Sequence, residues 1–177
     1  MRFCVSFMAL WFIVFSDARS QVYLTKESAL DLYFPQANVE RRTMFLTDEQ
    51  VGTIQNTARA KVSSRLVTYY VGRTNEGVVG YAFFDTHVVR TMPETFMTVL
   101  QPDGSIRAVE ILAFYEPEDY LPPKRWLATL EEKTIQSDLW LKRGVQNIVG
   151  ATLSARAITD AVRVMLAVFE HAVPKEQ

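Results

Sequence analysis

The chain has 177 residues, of which 49% are hydrophobic, with 19 Lys and Arg against 20 Asp and Glu. A net charge of −1 gives no electrostatic reason to recruit nucleic acid. The one cysteine, Cys4, excludes an internal disulfide and any cysteine-held zinc, iron–sulfur or c-type haem centre, so a redox role has to rest on another kind of cofactor.

Residues 1–20 read as a secretory signal. Arg2 supplies the positive start, Phe3 to Phe15 form an apolar run, and Ala18-Arg19-Ser20 offers a small-x-small cleavage site. The mature chain is then expected to begin at Gln21 and to be periplasmic or otherwise extracytoplasmic. The alternative is an uncleaved anchor in the inner membrane, but a span normally needs about 20 apolar residues and Asp17 and Arg19 close this run early. The 157 residues that remain fit one ordinary domain.

Residues 21–64 are read as a helical N-terminal segment and 65–172 as the main domain. Leu24 to Phe34 carry apolar residues at helical spacing, with Thr25 placed as N-cap. Thr47 to Gln50 form a capping box ahead of Val51, Ile54 and Ala58, which predicts a second helix to about Lys61. From Arg65 the period changes to two. Leu66–Val71 and Val78–Phe84 read as a hairpin, Thr95–Leu100 as a third strand, and Pro102-Asp103-Gly104 as a tight turn into a fourth, Ile106–Phe114. Three prolines between Glu116 and Pro123 end the sheet in what is expected to be an exposed acidic loop. Trp126 to Leu130 resume a short helical pattern. In the last helix Ile158, Ala161, Val162, Met165, Val168 and Phe169 share one face, with Arg156, Asp160, Arg163 and Glu170 expected to face away. The fold class is therefore α+β, an antiparallel sheet flanked by helices.

Just before that helix stands Gln146-Asn147-Ile148-Val149-Gly150-Ala151-Thr152-Leu153-Ser154. Gly150 and Ala151 bring the backbone close to whatever docks there, Thr152 supplies a hydroxyl, and the helix start behind it offers unpaired N–H groups that favour a phosphate. As residues alone, three small side chains before a helix equally suit an ordinary cap.

The stretch resembles the S/T-G-A-T-x-T/S signature of the covalent FMN-binding domain family, found in the G subunit of Rnf complexes and the C subunit of sodium-pumping NADH:quinone reductases. Gly150, Ala151, Thr152 and Ser154 match, and the order of sheet, Asp103-Gly104 turn, strand and Glu116 loop is similar over roughly residues 67–168. The chain departs from the pattern at Gln146, where the family has an acid, and at Val149, where it has a small hydroxyl residue. The resemblance implies an FMN-binding-domain-like fold carrying FMN as a phosphoester on Thr152, with Gly150, Ala151, Leu153 and Ser154 around the attachment point and Glu116 in the place of a family acid near the flavin. It implies maturation by a separate ApbE-type flavin transferase that uses FAD and a divalent metal. It also implies a redox protein or membrane electron-transfer complex as partner.

The isoalloxazine ring is then expected over the sheet, where Tyr69, Tyr70, Tyr81, Phe83 and Trp126 are available to pack on it, although aromatic residues at strand spacing equally suit a core. The expected function is an exported electron-transfer flavoprotein, a carrier more than an independent enzyme; the alternative is a flavin-free extracytoplasmic binding or assembly module of the same fold. Of the two histidines, His171 falls near a helix C-terminus, so any Ser/His/Asp catalysis would rest on His87. Glu116, Glu118 and Asp119 lack the ligand spacing of a calcium loop, and no phosphate-binding glycine motif of the Walker or dinucleotide type occurs.

Overall fold

The computed structural model describes residues 21–175, so the expected signal segment 1–20 lies outside the described residues. In chain order the elements are β1 (Gln21–Val22), α1 (Lys26–Tyr33), β2 (Asn38–Phe45), α2 (Asp48–Ala58), β3 (Leu66–Thr74), β4 (Gly77–Val88), β5 (Pro93–Leu100), β6 (Ile106–Phe114), α3 (Lys124–Leu127) and α4 (Thr152–His171). The strands form one six-stranded sheet in the order β1-β6-β5-β4-β3-β2, antiparallel throughout. The α+β architecture expected from the change of period at Arg65 is present.

Local chemistry sets the helix starts where the sequence places them. The Thr25 hydroxyl accepts from the Ser28 N–H at the head of α1. At the head of α2, Thr47 and Gln50 form the reciprocal capping box, and Arg59 closes the helix in the left-handed region. The turn from β5 to β6 depends on Gly104, whose φ of 89° disfavours any other residue and whose missing side chain makes room for the Phe169 ring. Asp103 holds that turn by accepting from both the N–H and the hydroxyl of Ser105.

Helices cover both faces of the sheet. On one, Ala29 and Leu30 of α1 and Phe34 just after it pack with Ala82, Met97, Val99 and Leu112. On the other, α2, α3 and α4 close over Tyr69, Tyr81, Phe83, Phe96, Leu100 and Val109. From α4, Ile158, Val162, Leu166 and Phe169 are each 2% exposed or less. Burial of each contributes about 1.5–3 kcal/mol.

Two expectations change. Residues 21–64 are not wholly helical: β2 pairs with β3 from Asn38↔Arg73 to Phe45↔Leu66 and so belongs to the same sheet. Its charged, half-exposed residues carry no apolar alternation because β2 is an edge strand, where charge deters pairing with another chain. Nor does Arg163 face away from the core. It is 5% exposed, donating from Nε to the Ala58 carbonyl at 2.8 Å, from one terminal nitrogen to the Leu139 carbonyl at 3.0 Å, and from the other to Asp160 Oδ1 at 2.7 Å. Its guanidinium lies 3.8 Å from the Trp140 ring centre. Arg163 thus ties the end of α2 and the 131–151 connection onto α4.

Candidate functional site

Thr152 is the first residue of a 20-residue helix rather than part of an exposed loop. Its hydroxyl donates to the Ile148 carbonyl at 3.1 Å and accepts from the Asn147 side-chain amide, also at 3.1 Å. No side chain caps α4, and Asn147 Oδ1 is buried without a hydrogen-bond partner beside it. The chain reaches this point through Gly150, whose φ of 88° lies in the region other residues disfavour. A side chain there would meet only the Asp119 carbonyl, at 3.8 Å, so the backbone is open to approach.

The residues flanking the hydroxyl divide into anchors and exposed surface. Ala151 and Ser154 are buried, and the Ser154 hydroxyl donates to the Tyr120 carbonyl at 2.8 Å. Gln146 is held by its own carbonyl, which accepts from the Trp126 indole N–H at 2.7 Å. Val149 is 96% exposed and Leu153 47%. A half-buried hydroxyl on a helix start with no side-chain cap, close in sequence to the exposed Val149 and Leu153, stands where the first N–H groups of the helix favour an anion. Asn147 would remain as a donor to an ester oxygen at Thr152, while the bond to Ile148 depends on the hydroxyl proton.

Glu116 is not a solvated loop charge. It is 5% exposed, and its Oε1 accepts from the backbone N–H groups of Arg90, Thr91 and Met92 at 3.1, 2.7 and 2.9 Å. The donors from Thr91 and Met92 hold its carboxyl below the ordinary range. Its role is therefore to fix the β4–β5 turn. That turn connects to the candidate site in two steps: the Arg90 guanidinium lies 4.3 Å from the Tyr120 ring centre, and the Tyr120 carbonyl receives Ser154.

The aromatic residues expected near the ring are mostly core. Tyr69, Tyr81, Phe83 and Trp126 are each no more than 6% exposed beneath the helices, and Tyr70 lies on the α1 face against Phe84. A ring cannot lie over that part of the sheet without displacing α2 or α4.

His87 is better furnished than its sequence context indicates. Its Nδ1 is 2.8 Å from Asp85 Oδ2, and its Nε2 is 3.4 Å from Oε2 of Glu94, the residue opposite it on β5. Burial pulls the imidazole down, but Asp85 and Glu94 outweigh it and lift its pKa to about 9. Glu94 is fully buried, and its carboxyl is raised by that burial against the opposing pull of His87. With Nδ1 on Asp85 and Nε2 turned to a second carboxylate, His87 does not present the nitrogen that would deprotonate a serine. His171 does lie in the last turn of α4, where its Nε2 is 2.9 Å from the Thr57 hydroxyl.

Among the described residues, no group of three or more His, Cys, Asp or Glu side chains is placed to hold a metal ion, and no helix is long and apolar enough to cross a membrane. No protein-family model and no curated protein matches the chain.

Proposed function

We propose that the chain is an exported electron-transfer flavoprotein that carries FMN through a phosphoester on Thr152 and passes electrons between redox partners outside the cytoplasm. The observation that carries this reading is the placement of Thr152: the hydroxyl of the Gly150-Ala151-Thr152 signature stands at the start of α4, with no side-chain cap, the exposed Leu153 after it and the exposed Val149 three residues before it. When bound, the flavin supplies one- and two-electron chemistry. Positioning of the attached group is the work of this chain's residues. Gly150 keeps the approach open, Ala151 and Ser154 anchor the helix start, and Asn147 holds Oγ1 in a fixed position. The first N–H groups and dipole of α4 favour phosphate charge.

Attachment forms an Oγ1–phosphorus bond as the pyrophosphate P–O bond of FAD breaks; AMP leaves with the bridging oxygen, and the hydroxyl proton passes to a general base. Threonine is a poor nucleophile at neutral pH, so the step needs a base and a metal. The reading assigns both to an ApbE-type transferase.

Production with such a transferase should give a protein whose flavin fluorescence survives denaturation and gel separation. Thr152→Ala should abolish that signal while leaving the circular dichroism unchanged, and Thr152→Ser should retain part of it because the nucleophilic oxygen remains. Covalent flavin in Thr152→Ala would move the attachment elsewhere. Absence of flavin on every form, while a known substrate of the same transferase is modified, would leave the flavin-free binding module as the function.

A further inference from the structure

β3 and β4 stay paired only as far as Tyr69↔Phe83. Beyond that point β3 continues with β2 to Phe45↔Leu66, and β4 continues with β5 to Val88↔Pro93. The sheet therefore forks. The cleft has a volume of about 470 Å³, with Ala157, Ala161 and Val164 of α4 lining it. That is within the range of small-molecule pockets.

The backbone gives the fork its chemistry. The Arg65 carbonyl accepts from the Leu46 N–H on the β2 side, so by the alternation of an antiparallel strand Thr68 points its backbone groups toward β4; the Tyr69↔Phe83 pairing engages its C=O with the Phe84 N–H and leaves its N–H to the gap. On the β4 side the same register leaves the Phe84 C=O and both backbone groups of Thr86 facing the gap. Leu66 is already engaged, because its N–H and C=O both meet the Ser64 hydroxyl. The β3 edge thus offers too little free backbone to pair an extended peptide, but enough for a compact ligand with polar groups on its rim. In the same wall stands His87, and behind it Glu94 is 0% exposed, its Oε2 3.4 Å from His87 Nε2 and its Oε1 without a hydrogen-bond partner.

We propose that the β3/β4 fork binds a flat heterocycle with alternating N–H and C=O groups along one edge, and that the isoalloxazine ring of the flavin is the member of that class this chain carries. The identity of the ring rests on the flavin reading above; the chemistry of the fork does not. A physical path joins the two places. Leu153, Ala157, Ala161 and Val164 follow one another at helical spacing along α4, so the face that lines the fork begins at the residue next to Thr152. The small side chains of Ala157 and Ala161 give the cleft a flat wall.

The test uses lumiflavin, which has the ring but no phosphate and cannot be esterified, with the full chain prepared without transferase. Saturable lumiflavin binding is expected from fluorescence anisotropy, with slowed amide hydrogen exchange at Thr68 and Thr86. Ala161→Trp, which fills the cleft, should weaken binding roughly tenfold or more. Absence of binding, binding that leaves those two amides unprotected, or full affinity in a folded Ala161→Trp would each overturn the proposal; if that variant does not fold, the exchange measurement on the unaltered chain decides. Lumiflavin binding without covalent attachment at Thr152 would sink the carrier reading alone, and attachment without any lumiflavin response would sink the fork alone.

Discussion

At Thr152 one hydroxyl is held between a carbonyl that takes its proton and an amide that covers a lone pair. The two departures from the family pattern act at different depths around it. Val149 is almost wholly exposed, so a change there alters what an incoming enzyme meets and not the packing; Gln146 is tied through its backbone to Trp126. Gln146→Asp with Val149→Ser should therefore change stability by less than about 0.5 kcal/mol. It should raise the flavinylated fraction when transferase is limiting, and equal fractions in both proteins would show the departures to be neutral. Glu116 carries a second prediction at this scale. Its lowered pKa means that its stabilising effect is complete above the ordinary value of 4.5 and is lost as pH falls through the folded value below it. Glu116→Ala, which leaves the turn donors unpaired, should cost about 1–3 kcal/mol at neutral pH. A variant as stable as the parent would mean that water replaces the carboxylate without loss. The motif residues were legible in the sequence as a string of small side chains. The burial of Glu116 was not, because its partners are backbone groups about 25 residues away in a turn that leaves no side-chain pattern.

Among the elements, α4 was the most legible, since its apolar face repeats at helical spacing for the whole of its length. The same wheel misplaces Arg163. A helical pattern assigns a guanidinium to solvent, whereas the 131–151 connection brings the Leu139 carbonyl and the Trp140 ring over it, and α2 brings the Ala58 carbonyl. Arg163→Met should destabilise the fold by about 2–4 kcal/mol, because it leaves the Ala58 and Leu139 carbonyls unpaired beneath the helices. Arg163→Lys should recover little, since one ammonium cannot replace three divergent N–H contacts and a stacked plane. Denaturant unfolding checks both; a loss of under 1 kcal/mol for Arg163→Met would show that the connection packs without its arginine. The edge strand β2 was illegible for the opposite reason: pairing specifies it and burial hardly does.

Across the whole molecule, the inward residues of β4 change from Tyr81 and Phe83 to Asp85 and His87 at the point where β3 departs, so the fork coincides with a switch in side-chain polarity. That switch stands in the sequence, but its meaning depends on which strand lies alongside. The cluster makes stability depend on pH. Because His87 is raised from 6.5 to about 9, its stabilising effect is complete below pH 6.5 and is lost as pH rises through about 9; the raised Glu94 carboxyl works in the same direction as it ionises. The melting temperature should fall across that window and His87→Gln should flatten the decline, whereas an unchanged slope in the variant would place the titration elsewhere. The central claim remains covalent flavin at one hydroxyl, and the chain offers a direct way to locate it. Trypsin releases Gly144–Arg156 as one peptide containing both Thr152 and the buried Ser154. Fragmentation mass spectrometry of that peptide, from protein produced with a flavin transferase, should place a single FMN phosphoester on Thr152; an unmodified peptide, or FMN on Ser154, would contradict the account.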